Sequence, residues 1–236
     1  MSLFGLEGKV ALVTGAGQGV GAGIVRVLSE HGATVVVNDL FPDRAKAVAD
    51  EVGARAIPFD VTDLEAVRAG FAEAGPVDIL VNNAGIPTDG FPQVDFKDSD
   101  PALWARFVDL NLYGVMNCTH TALPGMCERG WGRVITISSE AGRVGLPIRV
   151  SLYGAAKAGA IGLMKHVAHE VGPLGVTCNA LALGRMEAPT ANPRGNAIPR
   201  NGTGRDIGAT VAFLASEGGE WITGQVIPVN GGAVTA

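Results

Sequence analysis

An alternation that runs the length of the chain restricts its fold more than any other feature: short apolar runs of strand type, each followed by a stretch of helical composition. The strand-like runs are residues 9–14 (KVALVT), 34–38, 55–59, 79–81, 133–138, 176–181 and 225–229. Helices are expected from the glycines at 15–23 to about residue 31, then over 43–52, 64–74, 102 to about 123, 153–171 and 206–216. Strands without polar alternation are buried on both faces, and parallel strands joined by helices must cross over right-handedly. The pattern therefore predicts an α/β fold, a doubly wound, seven-stranded parallel Rossmann sheet with helices on both faces. No Pro/Ser-rich linker, charge-dense break or internal repeat interrupts residues 1–236, so a single dinucleotide-binding and catalytic domain is expected.

Such a fold carries its ligands beyond the carboxyl ends of the strands, so the residues after each strand matter most. Residues 14–21 (TGAGQGVG) follow the first strand and open a helix, the setting of a phosphate-binding turn where missing side chains let the backbone approach a pyrophosphate. Gly17, Gly19 and Ala22 fit G-x-G-x-x-G/A, while Gly15, Gly19 and Gly21 fit the wider T-G-x-x-x-G-x-G; Gln18 and Val20 belong to the same turn. Either match alone also suits an ordinary helix start. Asp39 adds weight, because it lies 18 residues after Gly21 at the end of the second strand, where a carboxylate can accept both ribose hydroxyls. That arrangement selects NAD(H): a 2′-phosphate would meet a negative charge, and neither Gln18 nor Leu40 supplies a compensating cation. The structural alternative for Asp39 is a cap or turn acid before Pro42. Asp60 and Val61, after the third strand, are placed to hold the adenine. Asn83, Ala84 and Gly85, after the fourth, offer small residues and an amide near the ribose; both segments also suit plain turns.

At the reacting end, Tyr153 and Lys157 lie four residues apart, on one face of one helix. A phenol is a poor base at neutral pH, and a neighbouring cation is expected to favour its phenolate. Ser139 ends the fifth strand 14 residues before Tyr153, where its hydroxyl can bind a carbonyl oxygen and stabilise charge developing on it, although a helix cap would also use it. Asn111 lies within an expected helix, an unfavourable place that calls for a buried partner.

Composition excludes several alternatives. The formal charge of −5 comes from 23 acidic and 18 basic residues without a cluster, so no nucleic acid or anionic membrane surface is expected as a partner. Cys118, Cys127 and Cys178 have neither metal-ligand spacing nor an even count, and His31, His120, His166 and His169 lie away from the expected site, so no metal is expected. Without a leader-like or membrane-length apolar segment, a cytoplasmic protein is expected.

TGAGQGVG, Asp60-Val61-Thr62, NNAG, Asn111, Ser139, Tyr153 with Lys157, Asn179 and the closing ITGQVIPVNGG stand in the order and approximate spacing of the short-chain dehydrogenase/reductases, and nearly the whole chain resembles that family. The resemblance implies Tyr153 as general acid/base, Lys157 lowering its pKa and binding the nicotinamide ribose, Ser139 orienting the carbonyl, and Asn111 holding a relay water. It places Gly184 and Met186 among the cofactor contacts and implies a homo-oligomer, a tetramer or dimer. Three departures bear on substrate: the segment between Ser139 and Tyr153 is one residue longer than usual, Leu183-Gly184 stands for the family's Pro-Gly with its usual threonine replaced near Ala188, and the lid at 189–199 is short. An open site gripping a bulky or anionic group through Arg143 or Arg149 is expected from them. The leading reading is an NAD(H)-dependent oxidoreductase acting on a secondary alcohol/ketone pair, such as a 3-hydroxyacyl thioester. The alternatives are an NADPH-linked 3-oxoacyl-acyl-carrier-protein reductase and a non-catalytic dinucleotide-binding protein.

Overall fold

A computed structural model describes residues 3–86, 93–187 and 195–235. Among these residues the strands are β1 (Val10–Val13), β2 (Thr34–Val37), β3 (Arg55–Ala56), β4 (Ile79–Asn82), β5 (Gly132–Ser139), β6 (Val176–Leu183) and β7 (Val226–Val229). They form one parallel sheet in the order β3-β2-β1-β4-β5-β6-β7. The doubly wound expectation holds. Chain direction across the sheet reverses between β1 and β4, which opens the ligand crevice at their carboxyl ends.

Burial on both faces follows from the strand sequences. Ala11, Val13, Val35, Val37, Ile79 and Val81 pack with helices α1 (Gly19–Glu30), α2 (Pro42–Val52) and α8 (Gly204–Ala215). The alternate residues Leu12, Val36 and Leu80 pack against α3 (Leu64–Ala74), α5 (Gly114–Glu128) and α7 (Ser151–Val171) on the other face. Cys118 and Cys178 sit in that second layer as free thiols, both pushed up to about 12 by burial, and so act as inert apolar groups. No helix among the described residues is long and apolar enough to cross a membrane, and none of their His, Cys, Asp and Glu side chains cluster as a metal site would require.

Two expected elements differ. The third strand stops at Ala56 because the buried Asn38 amide donates to the carbonyls of Ile57 (3.2 Å) and Phe59 (3.0 Å), replacing ladder bonds by side-chain bonds. The long helix expected over 102–123 is instead a 3₁₀ turn at Pro101–Leu103, α4 (Trp104–Val108), a π-helical turn at Asp109–Tyr113, and α5, which continues past Pro124 to Glu128. Asn111 sits in the π turn, where the widened helix accommodates a residue that disfavours α geometry. Unforeseen is the short helix α6 (Glu140–Arg143), capped by Ser139, whose Oγ accepts the Ala141 N–H at 3.2 Å.

Candidate active site

The residues expected at the adenosine end start from the carboxyl ends of β1 and β4. Thr14 Oγ1 accepts the backbone N–H groups of Asn83 (3.0 Å) and Ala84 (3.2 Å), and the Asn83 amide donates to the carbonyls of Thr14 and Gly15 at 2.9 Å each. The Asn83 side chain, expected near the ribose, braces the glycine turn through its amide N–H groups. At Gly15, φ is +59° and a Cβ would stand 2.8 Å from Ala84 Cα, so glycine is required both by conformation and by close approach. Gln18 precedes α1 as its N-cap in extended conformation, without a side-chain cap, and the first turn, Gly19, Val20 and Gly21, carries no acid. Open N–H groups at that helix start suit a pyrophosphate.

Asp39 is buried and already anchored: Oδ2 accepts the Gly17 N–H at 2.9 Å and Oδ1 the Phe41 N–H at 3.0 Å. The carboxylate is thus held against the glycine turn, with lone pairs left for hydroxyl donors. Arg44, from the first turn of α2, was missed by sequence reasoning. A Cβ at Gly17 would lie 2.6 Å from the Arg44 Cβ, and the Arg44 guanidinium rests 4.4 Å from the Phe41 ring centroid. The Arg44 stem thus packs beside the glycine turn while its guanidinium lies on Phe41, two residues after Asp39, an arrangement that residue spacing alone did not reveal. Asp60 spends Oδ1 on the N–H and hydroxyl of Thr62, both at 2.8 Å, while Val61 is buried and its carbonyl accepts the Asn117 amide at 2.9 Å.

The reacting end brings together residues from three elements. Ser139 and Tyr153 share a hydrogen bond. Lys157 is buried and donates to the Ile137 carbonyl at 2.8 Å. Both Lys157 Nζ and Asn111 Oδ1 face Gly85, where a Cβ would stand 2.6 and 2.8 Å from them, so Gly85 is the floor on which these two groups approach. The Asn111 amide donates to the Phe107 carbonyl at 3.1 Å, while its Oδ1 is fully buried and accepts no hydrogen bond from the protein. A buried orphan acceptor beside an ammonium is a site for an ordered water.

The expected lowering of the Tyr153 pKa is not present in this state. Burial raises it above the ordinary phenol value, with the Ser139 hydrogen bond opposing, and Lys157 Nζ lies 5.7 Å from the ring centroid and is turned toward Ile137. Burial also brings Lys157 down to about 8. The phenol is consequently protonated at neutral pH, the form that can donate to a carbonyl oxygen.

Gly184 and Met186 follow β6. Gly184 donates its N–H to the Val229 carbonyl at 3.1 Å, and a Cβ there would lie 2.7 Å from Asn230 Cα; Met186 bridges Gly202. Ala188 and the first part of the 189–199 lid lie outside the described residues. Arg143 is not offered to substrate as expected: it pairs with the buried Glu140 at 2.9 Å, which also accepts the Asn230 amide at 2.9 Å. Arg149 pairs with Asp95 at 3.1 Å.

The model of the short chain dehydrogenase family matches residues 9–198. The chain is 39% identical to the 3-oxoacyl-acyl-carrier-protein reductase of Staphylococcus aureus, covering 95% of this chain and 97% of that protein. It is 40% identical to the acetoacetyl-CoA reductase of Rhizobium meliloti, covering 95% and 98%. Among solved structures, a 3-oxoacyl-acyl-carrier-protein reductase from Brucella melitensis with bound NAD superposes with a TM-score of 0.92 at 32% identity, covering 99% of this chain and 94% of that one.

Proposed function

Because this chain belongs to the short-chain dehydrogenase family, and so is an oxidoreductase of CH–OH and keto groups using a nicotinamide dinucleotide, we propose that it interconverts a secondary alcohol and a ketone with NAD(H), within one domain. The observation that carries this reading is a connected set: Ser139 hydrogen-bonded to Tyr153, Lys157 Nζ 5.7 Å from the Tyr153 ring, and Lys157 with Asn111 meeting at Gly85. The bound nicotinamide supplies or accepts the hydride. Tyr153 donates its proton to the carbonyl oxygen, and the Ser139 hydroxyl donates a hydrogen bond to the charge developing there. Lys157 and a water on Asn111 Oδ1 resupply that proton. Glycines 15, 17, 19 and 21 with Gln18 and Val20 take the pyrophosphate, Asp39 the adenosine ribose, Asp60 and Val61 the adenine, and Ala84, Gly85, Gly184 and Met186 the nicotinamide half. NADH-driven reduction across a panel of ketones tests the reading; a panel reduced by neither NADH nor NADPH would overturn it.

A second reading, reduction of a 3-oxoacyl thioester, is favoured by the names of the two relatives at 39% and 40% identity. Its competitor from another class, a protein that binds dinucleotide without turnover, leaves the assembly around Tyr153 without a purpose. The free thiols suit a reducing compartment, and we place the protein in the cytoplasm.

We further propose a homotetramer. Trp221 is 97% exposed beside the edge strand β7, and Trp104, Tyr113 and Met116 are exposed on the α4–α5 face. Large exposed apolar side chains on α4–α5 and just before β7 suit two-fold contacts between chains. Light scattering at micromolar concentration should give four chains, and Trp221→Glu should lower the mass to that of a dimer. A monomer mass for the unaltered protein contradicts the proposal.

A further inference from the structure

The residue after Ser139 is a carboxylate with no part in the proposed reaction. Glu140 opens α6 and its side chain is buried, where an ionised acid persists only when its lone pairs are filled. They are filled from two directions. Oε2 accepts the Arg143 Nε–H at 3.0 Å and stands 2.9 Å from Nη2, closing a ring within α6, while Oε1 accepts the Asn230 amide at 2.9 Å. Asn230 follows β7 and is itself held in place: its Oδ1 accepts the Gly232 N–H at 2.9 Å, and its amide also donates to the Val234 carbonyl at 2.8 Å. Its Cα is the atom that a Cβ on Gly184 would meet at 2.7 Å. The Glu140–Asn230 bond thus spans 90 residues of sequence and ties the start of α6 to the segment that backs Gly184.

What α6 rests on gives this bond its consequence. A Cβ at Gly154 would stand 2.7 Å from the Ala141 carbonyl oxygen, and one at Gly142 would stand 2.8 Å from the Lys157 carbonyl carbon. α6 is therefore seated, backbone against backbone, on the turn of α7 that carries Tyr153 and Lys157. At the start of α6, Ser139 Oγ accepts the Ala141 N–H at 3.2 Å and shares a hydrogen bond with Tyr153. A helix of four residues does not hold itself in place. Its position, and with it the direction of the Ser139 hydroxyl, depends on tertiary bonds.

On the reaction proposed for Tyr153, we infer that Glu140 is a positioning residue: through its bonds to Asn230 and Arg143 it fixes α6, and so aims the Ser139 hydroxyl at the carbonyl oxygen that Tyr153 protonates. A misplacement of about 1 Å at a distance from the chemistry costs about 100-fold in rate. Loss of the positioning bonds is therefore felt in kcat, while the coenzyme keeps its glycine turn.

The test uses the whole protein, with NADH and 2-octanone as probes. Glu140→Gln keeps the shape of the side chain, removes the charge that holds Arg143, and should lower kcat about 30-fold, with the dissociation constant for NADH within about twofold. Asn230→Asp sets two carboxylates against each other and should lower kcat to a similar extent. Glu140→Gln combined with Asn230→Asp restores a donor and an acceptor across the contact, reversed in direction and at unchanged net charge, and should bring kcat back to within about fivefold of the unaltered protein. In a Ser139→Ala background, where the hydroxyl to be aimed is gone, Glu140→Gln should change kcat by less than about threefold. Hydrogen exchange at the Ala141 amide reads the same placement without turnover: it should quicken about tenfold in Glu140→Gln and slow again in the double variant. An undiminished kcat in Glu140→Gln, an equal loss with and without the Ser139 hydroxyl, or no recovery in the double variant overturns the inference. A protein that reduces no 2-octanone yet shows the exchange pattern would instead sink the reaction assigned to Tyr153 and leave the placement of α6 by Glu140 standing, whereas unchanged exchange would sink the placement itself.

Discussion

Tyr153→Phe should lower kcat by about three to four orders of magnitude, the scale of a lost proton donor in the transition state, while the dissociation constant for NADH stays within about twofold. The substitution keeps the ring and its burial and removes only the hydroxyl that is bonded to Ser139. The glycine turn and Asp39, which carry the adenosine end in this account, lie at the other end of the crevice and are untouched. Lys157→Ala should impair both readouts, since Lys157 faces Gly85, proposed to line the nicotinamide half, and is proposed to serve the proton path as well. The direction of the Tyr153 shift adds a pH signature. With its pKa raised by burial, the phenol keeps its proton through neutral pH, so reduction runs there. Oxidation needs the phenolate and should climb as pH rises toward the elevated pKa. A Tyr153→Phe protein that kept most of its activity, shown by rapid-quench measurement of product, would remove Tyr153 from the proton-transfer role.

NAD(H) should be preferred over NADP(H) by about 100-fold in kcat/KM, the equivalent of roughly 3 kcal/mol. Asp39 is the cause: its carboxylate is locked against the turn by Gly17 and Phe41 and cannot swing aside from a 2′-phosphate. Like charges juxtaposed at a binding surface cost several kcal/mol. Arg44 changes the expected effect of removing that acid. Because the Arg44 stem packs against Gly17 and its guanidinium needs only to leave the Phe41 ring to meet a 2′-phosphate, Asp39→Ala alone should bring the ratio to within about tenfold of unity, without an engineered base. Asp39→Ala/Arg44→Ala should lose the gained NADP(H) activity again. Steady-state kinetics with both coenzymes decide the matter, and an unaltered protein that prefers NADPH would overturn the assignment of Asp39.

The parts of the fold that were legible in the sequence are those set by burial. Runs such as VALV and ILVN carry no polar alternation because both faces of a parallel sheet are covered, and their order fixed the doubly wound topology. Most of the candidate site was legible as a set of residues, since all but Asn111 follow a strand or sit one helical turn from another. What escaped depends on particular side-chain bonds. Asn38 reaches across to residues 57 and 59 and ends β3 early. The π turn around Asn111 has the composition of an ordinary helix, and only the three-dimensional ladder shows the extra residue. Asn83 and Arg143 look available in sequence, yet one is spent on Thr14 and Gly15 and the other on Glu140. Arg44 is hidden for the opposite reason, because the first turn of α2 brings its stem back to the glycine turn it seems to have left.

In the proposed reaction a hydride passes directly between the nicotinamide and a carbonyl carbon held at Tyr153. Its most direct measurement is single-turnover reduction of 2-octanone with NADH carrying deuterium at both C4 positions of the dihydronicotinamide, followed by mass spectrometry of the alcohol. The expected result is one deuterium on the carbinol carbon, no washout to solvent, and loss of the labelled product in Tyr153→Phe. Alcohol formed without deuterium, or labelled alcohol formed equally well by Tyr153→Phe, would contradict it.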